Sequence, residues 1–366
     1  MKIYKDLFQR MTEIDSIFKA WDEFKKGKRN KLDVQIFEYD LENNLFQLQQ
    51  DLIIKAYKPG AYSKFYVRDP KPRIIHKTEV RDRIIHHLLF KTLSPIFEPT
   101  FICDSYSCIK NRGTHKAIKR LEIFARKTFQ THGQCFILKC DVRKFFPTIN
   151  HKILLNIISR TIKDPDVLWL IKLIVKGFAT QSQNVSSPIG VPIGNLTSQL
   201  FANIYLNELD QYLKQTLKIK YYLRYTDDFI IVHYNKNYLL YLKSLISKFL
   251  EKCLHLSLHP EKVYIRKYKQ GFDFLGYIVL PKARILRTKT KNRIFRKLKG
   301  KFKLFILGKI SEKSLLQSIN SYLGVFSHAD SYKLQKKLLK DFSSWVAFAS
   351  MMKTKDFSNK ISNKKH

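Results

Sequence analysis

Apolar residues recur at helical spacing among charges through residues 11–55, as at Leu45, Leu48, Leu52 and Ile53, and predict N-terminal helices. From Phe65 to Ile75 the run FYVRDPKPRII sets strand formers around the turn signal Asp69-Pro70, so a hairpin exposing Arg68, Lys71 and Arg73 is expected. Residues 79–94 return to helical spacing through Ile85, Leu89 and Leu93. CFILKCDV at 135–142 is a short apolar run of strand type that ends in an acid, followed by helical segments at HKILLNIISRTI and 167–177. SSPIGVPIG (186–194) is rich in Pro and Gly and reads as a loop, after which Leu206, Leu209 and Leu213 mark one face of a helix. YYLRY and FIIVHY are then two strands separated only by Thr226-Asp227-Asp228, a hairpin with acids at its turn. Residues 237–256 read as a helix and GFDFLGYIVL (271–280) as a further hairpin. From about 285 the pattern is basic and helical, as in KNRIFRKLKGKFKLF, and the last dozen residues form a lysine-rich tail expected to be mobile. There is no internal repeat, and the mixture of strands, crossing helices and a helical end predicts an α+β architecture.

The 366 residues are 45% apolar and 13% aromatic, enough for a substantial core in one large domain or two to three smaller ones. Charge changes the picture more than composition does. Lys and Arg number 68 against 30 acids, a formal +38 spread along the whole length. Such an excess repels itself unless its partner is a polyanion, and nucleic acid is the first choice because phosphate neutralisation releases counterions. No stretch approaches the roughly 20 apolar residues of a membrane span, and the N-terminus has neither an uninterrupted hydrophobic segment nor a small-residue cleavage site, so it is expected to stay in the mature protein. Cys103 and Cys108, like Cys135 and Cys140, have a spacing that could suit zinc; Cys140 ends an apolar stretch before Asp141, however, and small buried side chains are the better reading. Reduced thiols fit a cytoplasm.

Asp141 ends a buried strand, and Asp227 and Asp228 sit at a tight hairpin turn 86 and 87 residues later. If those strands pair, three carboxylates converge at one sheet edge, where burial is unfavourable unless cations neutralise them. Hard oxygen ligands of this kind suit Mg²⁺, and two such ions can activate a primer 3′ hydroxyl and stabilise departing pyrophosphate. Taken singly, each acid is better read as a solvated cap or turn residue. The order of features is what singles them out: a strand acid, a Pro/Gly loop with a helix, the hairpin acids, then FLGY.

DVRKFFPTI (141–149) resembles the first catalytic motif of reverse transcriptases, GVPIGNLTSQ (190–199) their second, and YTDD (225–228) their signature turn. HPEKV (259–263) is similar to the lysine-bearing motif that follows, and FLGY, Phe274, Leu275, Gly276 and Tyr277, to the primer grip. KPRII (71–75) and SYSCIKNRGTHKA (105–117) resemble finger motifs of prokaryotic members. The resemblance implies a right-hand polymerase with fingers and palm, an antiparallel sheet backed by helices, over 61–280. It also implies an N-terminal extension over 1–60, a helical thumb over 281–350 and a basic tail over 351–366. It further implies that Asp141 and Asp227 hold two Mg²⁺ ions, for which Mn²⁺ can substitute, with Asp228 completing the acidic cluster and the Val142 carbonyl adding a ligand. Phe146 would exclude a 2′ hydroxyl, Arg73 and Arg68 would meet the triphosphate, and Lys262 would lie near the leaving pyrophosphate, with template RNA, cDNA primer and dNTPs as partners.

The second motif departs from its common form. Ile193-Gly194-Asn195-Leu196-Thr197-Ser198-Gln199 has isoleucine where glutamine is usual and ends in Ser-Gln. This form resembles the enzymes of diversity-generating retroelements, which copy a template repeat with errors at adenines. Ile193 cannot make glutamine's hydrogen bond, so selection would lean on shape and fidelity would fall. That resemblance also implies a small basic accessory variability protein and the cytoplasm of a bacterial or phage-infected cell. Alternatives are a group II intron or phage-defence reverse transcriptase, an RNA-dependent RNA polymerase, and a non-catalytic RNA-binding protein. No segment here corresponds to an RNase H or integrase, so those steps are expected of other proteins.

Overall fold

The computed structural model describes residues 2–69, 71–178 and 188–344 and divides into two compact units, residues 1–113 with 138–265 and residues 114–137 with 266–366. Pro70, residues 186 and 187 of the predicted loop, the last residues of the predicted thumb and the tail lie outside the described residues.

In the first unit the predicted N-terminal helices are α1 (Leu7–Thr12), α2 (Ile14–Lys25), α3 (Leu32–Tyr39) and α4 (Leu41–Ile53). The α2 stripe Ile17, Ala20, Trp21 and Phe24 is buried against α5 (Val80–Phe97), with the Trp21 ring 5.4 Å from Phe37. The predicted hairpin is present as β1 (Ser63–Val67) and β2 (Arg73–Lys77), paired Val67 to Arg73, with Arg68, Lys71 and Arg73 exposed. α6 (Thr114–His132) opens the second unit, and β3 (Phe136–Asp141) is the apolar strand that ends in an acid.

After β3 come α7 (Phe145–Thr148), α8 (His151–Thr161), α9 (Pro165–Lys176) and α10 (Leu196–Gln211). α10 is buried almost all round, by Leu200, Phe201, Ile204, Tyr205, Leu206 and Leu209, because it packs against α5, α8 and α11 (Lys236–Leu254). The hairpin β4 (Tyr222–Tyr225) and β5 (Asp228–His233) joins β3 and β6 (Tyr264–Lys267) in the sheet order β4-β5-β3-β6. Asp228 is the first residue of β5, paired with Tyr225, so the turn itself is only Thr226 and Asp227.

In the second unit FLGY forms the turn of an antiparallel pair, β7 (Phe272–Phe274) and β8 (Tyr277–Val279), with β9 (Arg284–Leu286) as a third strand that was not predicted. Helices α12 (Thr288–Ile306) and α13 (Glu312–Phe326) follow, packed through Ile294, Leu298 and Phe302 of the first and Leu315, Ile319 and Phe326 of the second. Among the described residues no helix is long and apolar enough to cross a membrane.

Beneath the acidic turn lies a buried ion pair. Arg224 on β4 and Asp210 on α10 are both 0% exposed, with Arg224 Nη2 2.6 Å and Nε 2.9 Å from the Asp210 carboxylate. Tyr222 Oη donates to the same carboxylate at 2.6 Å, and Arg224 Nη1 donates to Asn203 Oδ1 and to the Thr226 carbonyl, each at 3.1 Å. Removing one partner of such a pair strands the other charge. Arg224→Met is therefore expected to lower unfolding free energy by about 3–5 kcal/mol in a urea titration; a loss below about 1 kcal/mol would contradict this role.

Candidate active site

The three predicted carboxylates come together in the first unit for local reasons. β3 runs apolar through Phe136, Ile137, Leu138 and Cys140 and delivers Asp141 at its end, 8% exposed. The β4–β5 turn brings Asp227 beside it, since Val142 N–H donates to the Asp227 carbonyl at 3.2 Å. Thr226 sits at φ +55°, a left-handed conformation unfavourable for a β-branched residue. Three contacts hold it there: Arg224 on its carbonyl, Thr226 Oγ1 2.6 Å from Ser107 Oγ, and Asn203 Nδ2 donating to the Ser107 carbonyl at 2.9 Å. Ser107 belongs to the SYSCIKNRG segment, which runs along β4 through Tyr106 N–H to the Arg224 carbonyl.

The electrostatics show a site short of positive charge. Burial, then the neighbouring Asp228 and Asp141 charges, push the Asp227 carboxyl up to about 6. Burial raises Asp228 as well, against the opposing pull of Lys139. Lys139 and Asp141, two residues apart on β3, share the face its alternation requires, and Lys139 Nζ is 3.3 Å from Asp228 Oδ1. That is ion-pair distance without hydrogen-bond geometry: Asp228 Oδ1 is buried and has no hydrogen-bond partner. Lys262 Nζ donates to Asp141 Oδ1 at 2.8 Å from a side chain 39% exposed.

Among the described residues no group of three or more His, Cys, Asp or Glu side chains is placed to hold a metal ion by itself. The carboxylates nonetheless suit a hard divalent cation, because three acids share two lysines and the Asp227 carboxyl, raised by burial and then by its acidic neighbours, is what a cation would relieve. Magnesium keeps several positions for water and phosphate, so an open set is the form expected for it.

Phe145 is buried, while Phe146 is half-buried with its ring 5.6 Å from that of Phe145, and its carbonyl accepts from Val191 N–H at 2.9 Å. Ile193 is half-buried and Gly194 exposed. Arg68 and Arg73 stand on the exposed hairpin, whose β2 meets the second-motif loop through His76 N–H to the Ile193 carbonyl at 3.1 Å. Phe274, Leu275, Gly276 and Tyr277 belong to the second unit, where Leu275 and Gly276 take φ +49° and +90° and Tyr277 Oη donates to the Val325 carbonyl at 3.1 Å. Lys139, Ser107, Asp210 and Arg224 escaped the sequence reading. For Lys139 the period of two before Asp141 was a usable signal.

The profile of the family described as reverse transcriptase (RNA-dependent DNA polymerase) matches residues 62–279. The chain belongs to the reverse transcriptase family. Its α+β fold is accordingly that of a right-hand polymerase, and the family's enzymes are RNA-directed DNA polymerases that work with divalent metal ions. This reverse transcriptase is 27% identical to Protein YkfC of Escherichia coli (strain K12), over 64% of this chain and 71% of that one. It is 24% identical to the group II intron-encoded protein LtrA of Lactococcus lactis subsp. cremoris, over 83% of this chain and 58% of LtrA, so it spans under two thirds of that relative. Among solved structures, telomerase from Candida albicans is similar with a TM-score of 0.47 and 12% identity, over 81% of this chain and 61% of that one.

A pH dependence follows from the raised Asp227 carboxyl. Its folded value, about 6, lies above the ordinary carboxylate range, so its contribution to stability is complete below about pH 4 and is lost as pH rises through about 6. With EDTA present, Asp227→Asn is expected to be more stable than the unsubstituted protein at pH 7 by about 1–2 kcal/mol after allowance for screening. That difference should shrink towards pH 4 and on adding Mg²⁺ at pH 7. Parallel melting curves at all pH values would contradict it.

Proposed function

We propose that this reverse transcriptase copies an RNA template into cDNA, with Asp141 and Asp227 holding a pair of Mg²⁺ ions, Asp228 completing the acidic set and the Val142 carbonyl adding a ligand. The observation that carries the reading is the convergence of three carboxylates at one sheet edge with only two lysines, Lys139 and Lys262, paired to them. Bound there, the ions would supply activation of the primer 3′ hydroxyl and charge neutralisation at the leaving pyrophosphate. Phe146 packs beneath the sugar of the incoming dNTP, Arg68 and Arg73 meet its triphosphate from the hairpin, and Ile193 and Gly194 border the base. Lys262, paired with Asp141 at rest and exposed enough to swing, moves to the pyrophosphate side. Phe274 to Tyr277 grip the primer. Residues 61–280 serve as fingers and palm, 281–350 as thumb and 1–60 as an extension.

The Ile-Gly-x-x-x-Ser-Gln second motif further supports mutagenic retrohoming in a diversity-generating retroelement, with errors at template adenines, a structured template RNA and a small basic accessory protein in the cytoplasm. Contact between two basic proteins requires local complementarity or RNA as a bridge. A group II intron role is the second reading, favoured by the similarity to LtrA over 83% of this chain.

Sequencing the cDNA made from a mixed-base RNA with Mg²⁺ and four dNTPs separates the readings. Errors concentrated at adenines support the retroelement, and uniform fidelity supports an intron or phage-defence enzyme. Asp227→Asn with Asp228→Asn should abolish cDNA while leaving RNA binding within about twofold, because the cationic surface persists; joint loss of binding and folding would sink the assignment. Ile193→Gln should lower misincorporation opposite adenine roughly tenfold, and an unchanged error spectrum would remove Ile193 from nucleotide selection.

A further inference from the structure

Asn195 occupies the position that starts α10, where an asparagine side chain ordinarily accepts from a first-turn N–H and stabilises the helix by about 1 kcal/mol. Here it makes no such cap. Its Nδ2 lies 2.8 Å from His86 Nε2 and 3.2 Å from Tyr62 Oη, and His86 Nδ1 is 2.7 Å from Thr197 Oγ1. His86, Asn195 and Thr197 are all buried. Burial lowers His86 to about 3, so the ring is neutral where the protein works. The assigned amide donor makes Nε2 an acceptor, which leaves the single ring proton on Nδ1 to be donated to Thr197.

These four residues tie together the foot of β1, the middle of α5 and the first turn of α10, and the loop carrying Ile193 and Gly194 ends on them. The same loop is fixed from the other side. His76 N–H binds the Ile193 carbonyl, and Gly194, at φ +134°, passes so close to β2 that a Cβ would lie 2.8 Å from the His76 carbonyl oxygen and 3.0 Å from Ile75 Cγ2. Ile193 is thus held between a backbone bond to the strand that begins with Arg73 and a buried clamp two residues later. A side chain that gives up a helix cap to build that clamp has a use other than stabilising the helix.

We propose that Tyr62, His86, Asn195 and Thr197 form a positioning network that sets Ile193 and Gly194 against the incoming nucleotide, and so governs nucleotide selection rather than the chemical step. The inference rests on the reading of Ile193 as a dNTP contact. An isoleucine selects by shape, and selection by shape changes when the wall moves. Loss of one hydroxyl leaves a buried donor or acceptor unpaired and releases the wall.

Tyr62→Phe and Thr197→Val each delete one hydroxyl with little change of shape, while Thr197→Ser keeps it. The full chain is assayed by single-nucleotide extension of a DNA primer on an RNA template, with correct and incorrect dNTPs, separating KM from kcat and following the melting temperature. The two deletions are expected to raise KM for the correct dNTP about five- to twentyfold, keep kcat within about threefold and change the error ratio at least about threefold. Thr197→Ser should restore KM and the error ratio. Unaltered KM and error ratio in both deletions, or a fall in kcat that simply tracks melting temperature, overturns the network while leaving the polymerase reading intact. An unsubstituted chain that extends no primer overturns both.

Discussion

The acidic site stands on the Arg224–Asp210 pair. A fully buried guanidinium is tolerated because Asp210 takes two of its N–H edges, while Asn203 and the Thr226 carbonyl take the rest. Burial and the same carboxylate hold the Tyr222 phenol well above its ordinary range, keeping it a donor. A hairpin turn with a β-branched residue at positive φ would relax elsewhere if only sequence-local forces acted on it. The pair converts the packing of α10 against β4 into a fixed carbonyl position at Thr226, and through that into the placement of Asp227.

The candidate site residues are unequally enclosed. Asp227 hangs from a turn fixed by Arg224 and Ser107, and Asp141 ends a central strand whose carbonyl also accepts His259 N–H at 2.7 Å. The residues proposed to meet the nucleotide are less enclosed: Arg68 and Arg73 stand on an exposed two-stranded hairpin, and Lys262 on a loop. Buried elements hold the groups that repel one another, and exposed ones carry the cations open to solvent.

Much of this was legible in the chain because its periodicities are strong. Ile85, Leu89 and Leu93 mark α5, the run before Asp141 marks β3, and two strands three residues apart leave room only for a tight turn. Other parts carry weak signals. Lys139 and Arg224 are two of 68 cations, and only the pairing of strands and the packing of α10 tell them from surface lysines and arginines. The strand β9 is three residues long, too short for alternation to show, and α6 was read for its motif residues although Ala117, Ile118, Leu121 and Phe124 carry a helical stripe. That α6 joins residues 266 onward in one compact unit is a long-range property that no window of sequence expresses.

The two lysines at the acids carry a consequence for how such a protein is made. Lys139 and Lys262 bring two positive charges to three carboxylates, so most of the cluster's charge is offset from the moment the strands close. The newly synthesised chain can complete its central sheet before any divalent ion is captured. Folding of the sheet and capture of a divalent ion are then separable events.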